Sequence, residues 1–344
     1  MRGYIGMIGL VAVLAFDKLY WRAGILTEGW PDFSYGHLLR SAVIMFSVFA
    51  LCWSAVGIGA RRKVVMADEL GWARWSPTEQ CAVLGPLFTS VLFLCLFLLT
   101  PSIFNTMSLE DGPMEWASAI LSFGASGLFG ASFARCRGNI DVPWITRWTL
   151  LLFAVVFFIV GMEEISWLQR VFDIETPDLF RSNMQNEINL HNFATDKTEN
   201  AYYFGAFVFL VILPFMRLLG FIPVGNTYLE LFIPRPVMAL VGAVASAYNF
   251  DMWNIIFIQV TFFGAVAILL AYNRIYRICL GERIITVGTI LLIGITQILF
   301  LSYGENFSRI WEITEYKEFF IPLGFLMFAI DVYRRINDSY SVEH

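Results

Sequence analysis

Ten apolar blocks, each near the length that a helix needs to cross a lipid bilayer, constrain this chain more than any other feature. They lie at about 4–20, 38–60, 82–100, 116–133, 146–162, 201–220, 236–250, 253–272, 284–303 and 318–333. A helix crosses the hydrocarbon core in about 20 residues, with some tilt. Backbone N–H and C=O groups find no water there, so only helices and closed barrels span it. Barrel strands alternate apolar and polar residues, whereas these blocks are continuously apolar. The reading is an all-α, polytopic transmembrane helical bundle of about ten spans, a single membrane domain over residues 1–344. Composition agrees: 58% of residues are hydrophobic and 15% charged, against roughly 45–50% and 25% in soluble domains. The block at 236–250 is the least regular, with Pro234 and Pro236 at its start and Asp251 just beyond. The first block follows a basic residue, like a signal sequence, but lacks a small-x-small cleavage site. It is expected to remain as a span.

Lys and Arg give the orientation. With the N-terminus in the cytoplasm, inner segments hold Arg2; Arg61, Arg62, Lys63 and Arg74; Arg135, Arg137 and Arg147; Arg217 and Arg235; Arg274, Arg277 and Arg283; and Arg334 and Arg335. Every inner segment is then basic, as the positive-inside bias requires, and an even number of spans puts both termini inside. Most acids fall on the outer side, which topology does not ask for. The net charge of −5 shows no nucleic-acid footprint. The five cysteines are scattered and imply no disulfide framework.

Small residues in SFGASGLFGASF, within the fourth span, suit close helix packing in lipid. The longest polar connection is 163–200, EEISWLQRVFDIETPDLFRSNMQNEINLHNFATDKTEN. It carries Trp167, Leu168, Val171, Phe172, Ile174, Leu179 and Phe180, too many apolar residues for a disordered linker. Thr176 followed by Pro177 makes a cap and first-turn pair. One or two short interfacial helices are expected in this outer loop.

Four clusters carry candidate chemistry. Glu163 and Glu164 end the fifth span, where ionisable residues are costly and two adjacent carboxylates repel. A plain helix end meeting water is the competing reading. Glu187 and His191, spaced i and i+4, share one face if helical. They suit an acid/base pair or, with Glu164, a divalent metal site, but also a surface pair that holds a loop. Asn183, Asn186, Asn189 and Asn192 surround them and suit backbone or sugar hydroxyls. In ENFSRIWEITEYKEFF, Glu305, Glu312, Glu315 and Glu318 flank Arg309. Acids at a helix start are also an ordinary response to the helix dipole. Gly304 fits a helix C-cap. Finally, Asp251 sits with Asn249 and Asn254 before the eighth span, as a pocket residue or a cap. By topology all four clusters fall on the outer face.

The stretch GMEEISWLQRVFDIETPDLFRSNMQNEINLHN resembles an uncharacterised family of bacterial polytopic inner-membrane proteins. Their pattern reads E-E-I-S-W-x-Q-R, then T-P, then N-x-Q-x-E-x-N-L-H-N. This chain keeps Glu163, Glu164, Ile165, Ser166, Trp167, Gln169 and Arg170, then Thr176 and Pro177. It also keeps Asn183, Gln185, Glu187, Asn189, Leu190, His191 and Asn192. Leu168 and Met162 stand where the pattern has Gly. The resemblance implies a bacterial inner membrane and a site in this stretch, and carries no activity; the charge topology puts that site on the periplasmic face.

Three functions are consistent with this reading. The leading one is a membrane-embedded enzyme acting at the outer leaflet on a lipid or lipid-linked substrate. Its catalytic groups would be Glu163, Glu164, Glu187 and His191. Trp167, Gln169, Arg170, Asn189, Asn192, Asp251, Arg309, Glu312 and Glu315 would bind substrate, and Glu164, Glu187 and His191 would hold any divalent metal ion. A transporter or flippase with carboxylate proton or cation sites is the second. The third is a non-catalytic subunit that docks a partner membrane protein through Trp167, Phe172, Phe180 and Phe193. No G-x-S-x-G elbow, phosphate loop or dinucleotide fingerprint is present.

Overall fold

A computed structural model describes residues 2–21, 29–61, 75–139, 141–180, 187–190, 193–222, 227–275 and 279–341. Those residues form helices and turns, with no strand among them. Seven helical segments are long and apolar enough to cross a membrane: Tyr35–Ala60, Pro77–Leu99, Pro113–Cys136, Trp144–Glu164, Thr195–Leu218, Ile256–Ile275 and Leu280–Ser302. Each coincides with a block read from the sequence.

The helices are α1 (Arg2–Phe16), α2 (Tyr35–Arg61), α3 (Pro77–Leu99), α4 (Pro101–Met107), α5 (Pro113–Cys136), α6 (Trp144–Glu164) and α7 (Thr195–Phe207). They continue as α8 (Leu213–Leu218), α9 (Thr227–Phe232), α10 (Met238–Ala245), α11 (Ile256–Ile275), α12 (Leu280–Ser302) and α13 (Glu312–Ser341). A π-helical stretch, Val208–Ile212, joins α7 to α8. Pro214 lies just beyond and has no N–H to offer the carbonyl four residues back, so the regular ladder breaks there.

The first and last blocks depart from a simple span. α1 has 15 residues and leans on α2. Gly6 makes this possible, because a Cβ there would stand 2.6 Å from the Ser47 carbonyl oxygen. An ion pair tops the contact: the Arg40 Nε donates to Asp17 Oδ1 at 2.8 Å and Nη2 to Oδ2 at 2.7 Å. α13 has 30 residues, with Glu312, Glu315, Lys317 and Glu318 at one end and Asp331, Arg334 and Arg335 at the other. Between them Phe320, Ile321, Phe328, Ala329 and Val332 are buried against α5 and α10. The small block of α5 packs as expected: Gly124 faces Leu326 of α13, and the Ser126 hydroxyl donates to the Ala154 carbonyl of α6 at 2.7 Å.

The block at 236–250 corrects the expectation of a regular span. Its helix, α10, has eight residues, all buried. At about 1.5 Å per residue that is roughly 12 Å, well short of the hydrocarbon core. The segment nevertheless runs the length of the bundle. At one end Arg235 pairs with Glu79, at the start of α3, at 2.6 Å. At the other, Phe250 packs on Gly304, just past the end of α12. Turns flank α10 on either side. Broken helix is tolerated at membrane depth only where protein surrounds it, and residues 236–253 are buried throughout.

The loop after α6 also differs from expectation. No helix starts at Thr176; Pro177 to Phe180 form a turn closed by the Phe180 N–H on the Pro177 carbonyl at 2.9 Å. The Thr176 hydroxyl instead accepts from Gln169 Nε2 at 2.8 Å. Directly after α6 the chain makes a left-handed turn, with φ of 46°, 54° and 61° at Ser166, Trp167 and Leu168. For non-glycine residues such a conformation costs roughly 1–2 kcal/mol each, so neighbouring groups must hold it.

Candidate functional site

The strongest grouping of ionisable side chains gathers at one end of the bundle, from four helices. Glu115 opens α5, Glu164 ends α6, Glu199 lies early in α7, and Glu315 and Glu318 lie early in α13. Burial, then repulsion from Glu318, Glu115, Glu164 and Glu199, pushes the Glu315 carboxyl well above the usual range. Glu164 in turn feels Glu318, Glu115, Glu199 and Glu163. Two tyrosines of α7 reach into the group. The Tyr203 hydroxyl donates to Glu318 Oε1 at 2.7 Å and lies 3.4 Å from Glu199 Oε2. The Tyr202 hydroxyl is buried within electrostatic reach of Glu164 and Glu318.

Lys317 leads from this chamber into the bundle. It is 2% exposed, donates to Asn249 Oδ1, and stands 4.4 Å from the centroid of the Tyr203 ring. Asn249 is fixed by Gln297, giving an N–H to its Oε1 at 2.8 Å and accepting one on its own carbonyl at 2.7 Å. Asp251, also 2% exposed, lies near Lys317. Burial pushes its carboxyl up to about 7, with the Lys317 charge opposing that rise. Beneath Lys317 lies a small, partly open cavity. Tyr203, Lys317, Ser246 and Thr261 supply its polar lining, and Phe207, Leu210 and Ile321 apolar walls. Leu210 belongs to the π-helical stretch, and Gly242 and Ala245 of broken α10 face the same space.

Beside the chamber, the outer loop is pinned by side chains that the sequence marked as catalytic or binding. Glu187 is 8% exposed. Its Oε2 accepts from the Ser166 hydroxyl at 2.5 Å and from Asn189 Nδ2 at 3.1 Å, and its Oε1 pairs with Arg170. Arg170 is held further by Asp111 at 2.6 Å and Glu110 at 3.2 Å. Glu163 accepts from Trp167 Nε1 at 2.7 Å and from the Leu190 N–H at 2.6 Å. Gln169 Oε1 accepts from the Ile188 N–H at 2.6 Å. Every one of these contacts braces the left-handed turn or the returning segment at 187–190. Glu312 is likewise structural: it accepts from the Ser308 N–H at 3.0 Å, while burial, only partly offset by those bonds and Arg309, raises its carboxyl. Arg309 donates to the Ser108 carbonyl at 2.8 Å, tying α13 to the turn after α4.

No family model, curated protein or solved structure matches this chain. Assignment of roles therefore rests on the geometry.

The structure divides the sequence-derived candidates. Glu164 and Glu315 come together in the chamber, and no hydrogen bond ties either to another described residue. Asp251 adjoins it through Lys317. Glu163, Glu187, Trp167, Gln169, Arg170 and Asn189 form the loop clamp, and Arg309 and Glu312 a separate brace. His191 and Asn192 lie outside the described residues, as do Asn183 and Asn186. Among the described residues, no three His, Cys, Asp or Glu side chains are arranged to hold a metal ion. Sequence reasoning gave no site role to Glu115, Glu199, Tyr202, Tyr203 or Lys317. The available signal was position: Glu115 and Glu199 lie near the helix ends that meet the end of α6 carrying Glu164.

Proposed function

We propose that this chain is a membrane-embedded enzyme acting on a lipid or lipid-linked substrate at the outer leaflet of a bacterial inner membrane. In this reading the bundle has ten crossings, both termini are cytoplasmic, and the carboxylate chamber faces the periplasm. The observation that carries it is the convergence of Glu115, Glu164, Glu199, Glu315 and Glu318, with Glu164 and Glu315 free of structural hydrogen bonds. Carboxyls crowded in this way cannot all ionise, so some hold protons at neutral pH while neighbours stay charged. That division supplies a general acid and a general base in one site. Glu164 and Glu315 share the acid and base roles, Tyr203 positions Glu318, and Lys317 balances charge at the chamber floor.

The test is turnover in a defined membrane. Purified protein would be reconstituted with a bacterial polar lipid extract, and the lipids followed by mass spectrometry. Wild type should convert a lipid species; Glu164→Gln and Glu315→Gln should insert normally and convert none. Full turnover in both variants would overturn the proposal.

A second reading, a proton- or cation-coupled transporter, is favoured by one observation. Both the π-helical stretch and broken α10 border the cavity under Lys317, and transporter sites are characteristically built at discontinuous helices. Liposomes that show no lipid conversion but a substrate-dependent proton flux, lost in Glu164→Gln, would decide for it.

A further inference from the structure

Outside the spans, the loop after α6 carries large apolar side chains with little protein cover. Phe172 is 67% and Leu179 74% exposed, and Val171, Ile174, Leu190 and Phe193 are exposed with them. Exposed apolar groups this dense mark an interaction surface. We infer that this surface is seated in the outer leaflet beside the carboxylate chamber, so that the loop is a membrane-inserted platform and not an aqueous cap.

Three observations select lipid as the occupant. First, the loop connects Trp144–Glu164 to Thr195–Leu218, two helices that are themselves long and apolar enough to cross, so both its ends lie at the bilayer boundary. α6, which leads into it, leaves Val155, Phe158 and Ile159 exposed as well. Second, the loop is polarised. Glu163, Gln169, Glu187 and Asn189 all turn inward to brace it, and Arg170 is drawn to Glu110 and Asp111. The large side chains left facing outward among the described residues are apolar, with the short acids Asp173, Glu175 and Asp178 between them. Third, the two halves of the platform are joined, since the Phe180 and Phe193 rings stand 5.6 Å apart. Exposed Asp173 and Glu175 on the same loop would be repelled by anionic headgroups. Insertion therefore rests on apolar burial at the interface. The inference holds whatever chemistry the chamber performs.

Wild-type protein in nanodiscs of zwitterionic lipid, doped with a lipid carrying a photoreactive diazirine on its acyl chain, gives the first test. Adducts are expected on peptides covering Val171 to Phe180, unchanged by added salt. Adducts confined to the spans would overturn the inference. Nitroxides at Phe172→Cys, Leu179→Cys and Leu190→Cys, with Asp173→Cys as an aqueous control, give the second. Relative to that control, the ratio of oxygen to water-soluble nickel collisions should rise several-fold at all three sites. Ratios equal to the control would show an aqueous loop. Suppressed collisions with both relaxers, alongside a co-purifying protein, would show that a protein partner covers this surface. Either result would refute the lipid assignment.

Discussion

Glu187→Ala should release the outer loop while leaving the bundle intact. The Ser166 hydroxyl bond to Glu187 is charge-assisted, and such bonds contribute about 1.5–3 kcal/mol. The Asn189 amide, at 3.1 Å, adds about 1 kcal/mol. Arg170 is 42% exposed in its side chain and keeps Glu110 and Asp111, so its pairing is counted at no more than about 1 kcal/mol. The clamp is then worth roughly 3–5 kcal/mol. Opposing it are three left-handed residues, which at about 1–2 kcal/mol each store roughly 3–6 kcal/mol. The two quantities are similar, so the turn persists only while the clamp is whole. In the variant, the Leu168 and Gln169 amides, bonded to the Ile165 and Ser166 carbonyls at 2.8 and 3.0 Å, lose their support. Since about 1.4 kcal/mol is a factor of ten, their protection against hydrogen exchange should fall roughly 10²- to 10³-fold. Exchange mass spectrometry in nanodiscs, on peptides covering 163–170, reads this directly, and Ser166→Ala should show a smaller loss. Unchanged protection in Glu187→Ala would refute the clamp. Loss spread through the spans would show that Glu187 holds the whole bundle and not the loop.

Glu315 has a folded-state pKa raised above its ordinary value of 4.5. The folded state thus binds more protons, and stability is lost as pH rises from about 4.5 towards the raised value. Thermal unfolding in detergent should show wild type falling over that window and Glu315→Gln falling less; identical pH dependence would contradict the crowding. Lys317→Met strips Asp251 of its nearby buried cation and should destabilise by about 3–5 kcal/mol. Adding Asp251→Asn should recover part of the loss in a double-mutant cycle, and strict additivity would show that the two do not interact. Gly304→Ala would place a Cβ 2.3 Å from the Phe250 ring. It should cost about 1–3 kcal/mol, with Phe250→Leu relieving it; a neutral Gly304→Ala would mean that the ring moves freely.

How far the sequence can be read is shown by particular segments. Blocks such as 82–100 and 284–303 became α3 and α12 because a lipid-exposed segment must be apolar along its length and hydrogen-bonded within itself, and both demands are local. The segment at 236–250 is free of the first demand: wrapped by protein on all sides, it can break into turns around eight helical residues. Pro234 and Pro236 hinted at irregularity, but burial is a property of the neighbours. Gly304 illustrates the same limit. Its place after a span suggested a left-handed cap, yet among the described glycines only Gly220 has positive φ. Gly304 is small because Phe250, far away in sequence, occupies the space a side chain would need. Glu187 looked like half of an acid/base pair for want of its partners: Ser166, Arg170 and the acids at 110–111 meet it only once the loop folds back.

The chamber itself was half legible, and the helix dipole explains which half. Glu115 and Glu315 lie in first turns, where the positive helix end favours a carboxylate. An acid in that position is unremarkable in any helix, so Glu115 announces no site, and Glu315 is marked in the sequence only by the acidic stretch around it. Glu164 lies in the last turn of α6, where the dipole disfavours negative charge. It stood out from sequence because it ends a span beside a second carboxylate, Glu163, and the dipole adds to that cost. Antiparallel packing does the rest. The C-terminal end of α6 meets the N-terminal ends of α5, α7 and α13 at one face, so acids that three helices carry for ordinary reasons become the repulsive wall around Glu164. A site of this kind arises from where helices end relative to one another. Each acid taken singly looks ordinary, and only the shared boundary of several spans brings them together.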